Sequence, residues 1–191
     1  MARQNQKIEK PSKWLLMLET RALWQLGGYF TSLPFLKSLD KGDGHPVLVI
    51  PGFIASDKST RPLRYLLKDR NYNAHPWKLG RNLGRPSIQD PLLTRLRELY
   101  TRYGGKKVSV IGWSLGGVFA RVLAQEAPEY VKQVITLGSP FAGLREPNNA
   151  RWLYEAVSGR EIGDIPTELF EKVAAPPIVP FTSIYSKTDG V

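Results

Sequence analysis

The apolar positions change period several times along the chain. From Ser12 to Gly27 they fall almost all round a helix, with Leu15, Leu18, Ala22 and Leu26 on one face and Leu16, Leu23 and Trp24 elsewhere. A helix of that kind needs more than one packing partner. The pattern then becomes continuous: Pro46 to Ile50 reads PVLVI, bounded by Lys41-Gly42-Asp43-Gly44 and by Pro51-Gly52, as expected of a strand covered on both faces. Val108 to Ile111 and Val134 to Leu137 have the same character. Tyr72 to Trp77 and Ile178 to Tyr185 are weaker strand candidates because prolines interrupt them.

Helical spacing fills the intervals. Leu63, Leu66 and Leu67 predict a short helix over Pro62 to Lys68. Asp90 and Pro91 form an N-cap and first-turn pair ahead of Leu92, Leu93, Leu96, Leu99, Tyr100 and Tyr103, with Gly104 as the stop. Leu115, Val118, Phe119, Val122 and Leu123 predict a third helix over Leu115 to Glu126, ended by Pro128. After the fourth strand an excursion from Ala142 to Pro177 holds two short helical patterns, Asn148 to Ser158 and Pro166 to Val173, placed where a lid would be. Strands alternating with helices predict a parallel α/β sheet. The chain divides into an N-terminal helical segment, residues 1–44, and an α/β core, residues 45–191.

Composition narrows the chemistry. With no cysteine among 191 residues, disulfides and thiolate metal sites are excluded, and two histidines leave little for an imidazole cluster. No metal or cofactor is expected. The run Trp14 to Leu18 is broken by Glu19 and Arg21, so neither a signal peptide nor a membrane span is expected and the cytoplasm is the simplest location. The net charge of +10 is uneven, since Lys58 to Lys107 holds 13 Lys and Arg against 3 Asp and Glu. Arg64, Lys68, Arg95, Arg97 and Arg102 are expected to solvate the outer faces of two helices. An anionic membrane surface is the other reading of that surplus. Nucleic acid is not expected, because no recognition motif accompanies the charge.

The informative string is Gly112-Trp113-Ser114-Leu115-Gly116. It lies directly between the strand Val108 to Ile111 and the helix Leu115 to Glu126, the strand, sharp turn, helix arrangement of a nucleophile elbow. Ser114 Oγ is expected over the C-terminal edge of the sheet, and glycines at 112 and 116 let strand and helix approach.

With HPVLVIPGF (His45 to Phe53), VSVIGWSLGG (Val108 to Gly117), TLGSPFAG (Thr136 to Gly143) and SIYSKTDG (Ser183 to Gly190) in this order, the chain resembles the α/β-hydrolase superfamily, in its lipase-like and esterase-like branch. The resemblance covers most of the chain after Asp40. It implies the α/β-hydrolase fold, a mostly parallel, doubly wound sheet with helices on both faces and a lid insertion. It also implies Ser114 as nucleophile, backbone N–H groups of Phe53 and Leu115 as the oxyanion hole, and Asp189 as the triad acid. Asp164 and Glu168 are alternatives within the lid excursion.

The family's order then requires a histidine, and Val191 follows Asp189 by two residues. His45 precedes its strand and is expected more than about 15 Å from the oxyanion end. His75, before Pro76, reads as structural. The sequence thus reads as a hydrolase truncated before its last strand, last helix and catalytic histidine. Two functions follow: a serine hydrolase acting on small-molecule or lipid carboxylic esters through an acyl-enzyme, impaired in this chain, or a non-catalytic module binding an anionic membrane surface or a protein partner. Trp152, Leu153, Val157, Leu169 and Phe170 of the excursion would suit an acyl chain.

Overall fold

A computed structural model describes residues 34–36, 38–139 and 178–185. The chain divides into two units, Met1–Asp40 and Lys41–Val191, and the second carries the sheet. Among the described residues it is built in the order β1 (Pro46–Ile50), α1 (Arg61–Asp69), β2 (Asn73–Pro76), a 3-10 turn (Pro86–Ile88), α2 (Gln89–Arg102), β3 (Val108–Trp113), α3 (Leu115–Glu126), β4 (Val131–Leu137) and β5 (Phe181–Ile184).

The strands pair in the order β2-β1-β3-β4-β5, all parallel. The sheet therefore grows to one side of β1 with β2 and to the other with β3, β4 and β5. The reversal leaves a crevice beyond the C-terminal ends of β1 and β3, which is where open α/β sheets hold their ligands.

The continuous apolar run of β1 is explained by cover on both faces, since all five of its residues are buried. Val47, Val49, Ala74 and Ile111 pack with Leu63 and Leu67 of α1 on one face. On the other, Leu48, Ile50, Val108, Val110 and Val134 pack with Leu92, Leu96 and Leu99 of α2 and Leu115, Phe119 and Leu123 of α3. Parallel pairing and helices on both faces are those of the expected fold. Residues 12–27 and the excursion 142–177 lie outside the described residues. No helix among the described residues is long and apolar enough to cross a membrane.

Three local expectations are corrected. Asp90 does not cap α2: the helix begins at Gln89 with Ile88 as N-cap, and Asp90 and Pro91 occupy its first turn, where a carboxylate still suits the positive end of the helix dipole. Strand β4 starts at Val131 rather than Val134. Lys132 and Gln133 disguise that start, because the ladder is irregular at Val108/Ser109 and both side chains turn to polar partners, Asp43 Oδ2 at 3.1 Å and Ser109 Oγ at 3.1 Å.

The third correction is Arg95, which is 4% exposed and not on a solvated face. Its guanidinium donates to Pro76 O, at the end of β2, through Nε and Nη2 at 3.3 Å each, and to Glu98 Oε2 at 2.8 Å. The planar fork spans two acceptors that a lysine could not reach together.

His75 faces the same corner. Its Nε2 lies 2.8 Å from Tyr103 Oη, and the two rings meet edge-on. Burial, followed by the charges of Arg95, Arg102, Lys68 and Lys78, lowers its pKa from 6.5 to about 4. Between those values the unfolded chain binds the proton and the folded chain does not, so stability is lost as pH falls from 6.5 to about 4. Asp43, held below the usual carboxylate range first by its hydrogen bond to His45 and then by Lys132, adds its own loss below 3.8. The melting temperature is therefore expected to drop between pH 6.5 and 4. His75→Gln should flatten that part of the curve while leaving the fall below pH 3.8, as thermal melts across pH would show.

Candidate active site

The backbone at Ser114 has φ 50 and ψ −122, between the end of β3 and the first residue of α3. A residue with a side chain held at positive φ costs on the order of 1–3 kcal/mol and persists only where its surroundings over-determine it. Here both adjoining peptide groups are fixed. Ser114 N–H donates to Leu137 O at 2.9 Å, and Ser114 O accepts from Gly117 N–H at 2.9 Å and from Ser139 Oγ at 2.7 Å. The end of β4 thus holds the turn that follows β3.

The glycines answer a problem of space. A Cβ at Gly112 would run into Gly116 O and Gly117 Cα, and one at Gly116 would lie 2.5 Å from Ile50 O and 2.6 Å from Pro51 O. At Gly117 it would collide with Ser139 Oγ. The first turn of α3 therefore rests directly on the ends of β3, β1 and β4. Gly52 completes the contact, its Cβ position lying 3.3 Å from both Ser114 Cβ and Trp113 O.

Across the crevice the loop after β1 turns at Gly52–Ala55, where Ala55 N–H donates to Gly52 O at 3.2 Å and Ile54 has φ 59. Phe53 occupies the second position of that turn, and no acceptor among the described residues lies against its N–H. Leu115, as the first residue of α3, has an N–H that the helix itself leaves unmatched. Trp113, Ile54 and Leu83 are 45%, 53% and 42% exposed and give this edge an apolar rim that periodicity did not reveal. Phe53 in the loop after β1, Gly112 at the end of β3, Ser114 in the turn, and Leu115 and Gly116 in the first turn of α3 thus flank one crevice. Asp189, Asp164, Glu168 and the apolar residues of the excursion lie outside the described residues.

Neither histidine belongs to this edge. Register places His45 level with Lys107, seven residues below Ser114, or roughly 23 Å along the strand direction. His75, level with Val110 and two strands across, is about 16 Å away by the same strand dimensions.

His45 instead joins a serine and an aspartate at the N-terminal edge. Its Nδ1 bonds Asp43 Oδ1, and its Nε2 lies 2.7 Å from Ser109 Oγ. Ser109 is 2% exposed on the strand, so no substrate carbonyl can approach it. The trio ties β3 to the chain entering β1. Among the described residues, no group of three or more His, Asp or Glu side chains is arranged to hold a metal.

A family model described as alpha/beta hydrolase fold matches residues 45–167. The chain is 28% identical over 108 residues to a triacylglycerol lipase of Pseudarthrobacter phenanthrenivorans, covering 52% of this chain and 34% of that protein. It is 28% identical over 108 residues to a triacylglycerol lipase of Burkholderia plantarii, covering 52% and 30%. The match thus spans about a third of the length of these curated relatives. Among solved structures, the mature Bacillus licheniformis lipase BlEst2 is 21% identical with a TM-score of 0.46, covering 76% of this chain and 67% of that one.

The packing of α3 makes the two kinds of glycine separable by mutation. Gly116→Ala should cost about 1–3 kcal/mol or more by overpacking against carbonyl oxygens that cannot yield. Gly80→Asn, at positive φ but with nothing within 4 Å, should cost under about 1 kcal/mol. Denaturant unfolding midpoints of the two variants would check the contrast.

Proposed function

Because the chain belongs to the α/β-hydrolase-fold family, we propose that it is a serine hydrolase of carboxylic esters that works through an acyl-enzyme on Ser114. Ser114 Oγ attacks the acyl carbonyl carbon while a base takes its proton. The resulting oxyanion is received by the N–H groups of Phe53 and Leu115, whose preorganised dipoles need no rearrangement as charge develops. Collapse of the tetrahedral intermediate expels the protonated alcohol, and a water molecule then attacks the acyl group and releases the acid.

The observation that carries this reading is the strained conformation of Ser114 at the strand-to-helix turn, facing the loop that bears Phe53. An incidental turn serine has no need of positive φ. The rim of Ile54, Leu83 and Trp113 favours an apolar acyl group, in keeping with relatives that carry the name triacylglycerol lipase.

Neither His45 nor His75 can carry the proton, since both lie far from Ser114 and are engaged elsewhere, so the reading calls for an imidazole in addition to these two. Asp189 would orient that imidazole and stabilise its cation. The 191-residue chain alone is therefore expected to hydrolyse aryl esters no faster than its Ser114→Ala variant. An extended form of the chain, with a histidine-bearing segment added after Val191, should raise turnover by about 10³-fold or more, dependent on Ser114 and on that histidine. Steady-state hydrolysis of short and medium aryl esters tests this. Substantial Ser114-dependent turnover by the unextended chain would refute the base assignment, and an inert extended protein would favour the non-catalytic module.

A further inference from the structure

The loop that offers Phe53 N–H contains its own anomaly. Ile54 is β-branched yet has φ 59 at the third position of the turn, a place that usually asks for glycine or asparagine. Something must hold it there.

Asn82 is 1% exposed, and both its backbone and its side chain are used. Its side-chain Nδ2 donates to Pro51 O at 2.8 Å, its carbonyl accepts from Ile54 N–H at 2.7 Å, and its own N–H donates to Ala55 O at 2.9 Å. Oδ1 accepts from Gly84 N–H at 3.2 Å, which fixes the amide's orientation. Three of the four bonds go to residues 51–55, and they fall on either side of Phe53. The Pro51 carbonyl is held before it and the Ile54 amide after it.

Pro51 O is also one of the two oxygens that Gly116 of α3 faces. The same carbonyl that Asn82 grips therefore sets the distance from the loop to the helix turn bearing Leu115. We propose that Asn82 is the positioning residue of the oxyanion loop, holding Phe53 N–H at the angle and distance at which it and Leu115 N–H receive one oxygen. The inference rests on the hydrolase reading for its consequence, although not for its geometry.

The chemistry specifies an amide. Aspartate would keep the acceptor for Gly84 N–H but set a carboxylate oxygen against Pro51 O. Protonation of that carboxyl would restore a donor, and burial raises its pKa. Alanine would lose both side-chain bonds and leave Pro51 O without its partner.

The test has two arms. In the 191-residue chain, amide hydrogen exchange at Ile54 and Ala55 is compared with exchange at core amides of β3. Asn82→Ala and Asn82→Asp should speed exchange at 54 and 55 by about tenfold with β3 unchanged, as loss of one or two net hydrogen bonds implies. In Asn82→Asp, protection corrected for intrinsic rates should return as pH is lowered. In the extended protein both variants should lose about 10- to 100-fold in kcat with KM moved less than about threefold, because the oxyanion forms only on the way to the transition state.

Folded variants with wild-type protection at 54 and 55, or an Asn82→Asp chain without pH-dependent recovery, would overturn the proposal. If Asn82→Ala does not fold, Asn82→Asp decides alone. An extended parent that turns over no ester would sink the hydrolase reading, and the exchange arm would still decide what Asn82 does.

Discussion

The constraint on which the C-terminal edge of the sheet depends is the closeness of α3 to the ends of β1, β3 and β4. A helix can begin there only if its first turn has no side chains where the backbone oxygens of Ile50 and Pro51 and the hydroxyl of Ser139 already stand. Gly116 and Gly117 meet that condition, and Gly112 meets it from the strand side. With helix and strand pressed together, the connecting residue cannot relax to negative φ. Ser114 is left in a strained conformation that the bonds to Leu137 O, Gly117 N–H and Ser139 Oγ sustain. Strain at this residue is a product of packing around it, which is the usual form of a preorganised site.

Topology explains why a crevice opens between the ends of β1 and β3. The order β2-β1-β3-β4-β5 separates the loops after β1 and β3 as their following helices leave to opposite faces. The N-terminal edge provides an instructive contrast. Asp43, His45 and Ser109 hold the bonding pattern of a catalytic triad, yet Ser109 is buried on a regular strand. The same three residue types can serve as a tie or as a reaction centre, and exposure of the hydroxyl decides between them.

Much of this was legible in the chain because the signals were local. PVLVI marked β1 to the residue, and the spacing from Leu115 to Glu126 marked α3. The glycines around Ser114 announced the elbow, since close approach of strand and helix leaves few alternatives to glycine. What escaped was set by tertiary contact. Arg95 reads as a surface arginine on a helical wheel, and the carbonyl of Pro76 behind it, with Glu98 beside it, makes its burial tolerable. Lys132 and Gln133 hid the start of β4 because their partners lie far off in the chain, on Asp43 ahead of β1 and Ser109 of β3. Asn82 sits in a stretch without periodicity, and its partners are around 30 residues away, as its bond to Pro51 illustrates. Ser139 was visible only as part of a family-like segment, while its bond to Ser114 O required the fold.

The central claim is that packing against α3 makes Ser114 the reactive hydroxyl of this protein. The most direct measurement is peptide mapping by mass spectrometry after treating the chain, with the proposed histidine base supplied in an added C-terminal segment, with a fluorophosphonate, which labels only an activated serine. The account predicts a single adduct, on Ser114, lost in Ser114→Ala, with Ser109 unmodified. No adduct on the folded protein, or an adduct on Ser109 or another serine in place of Ser114, would contradict it.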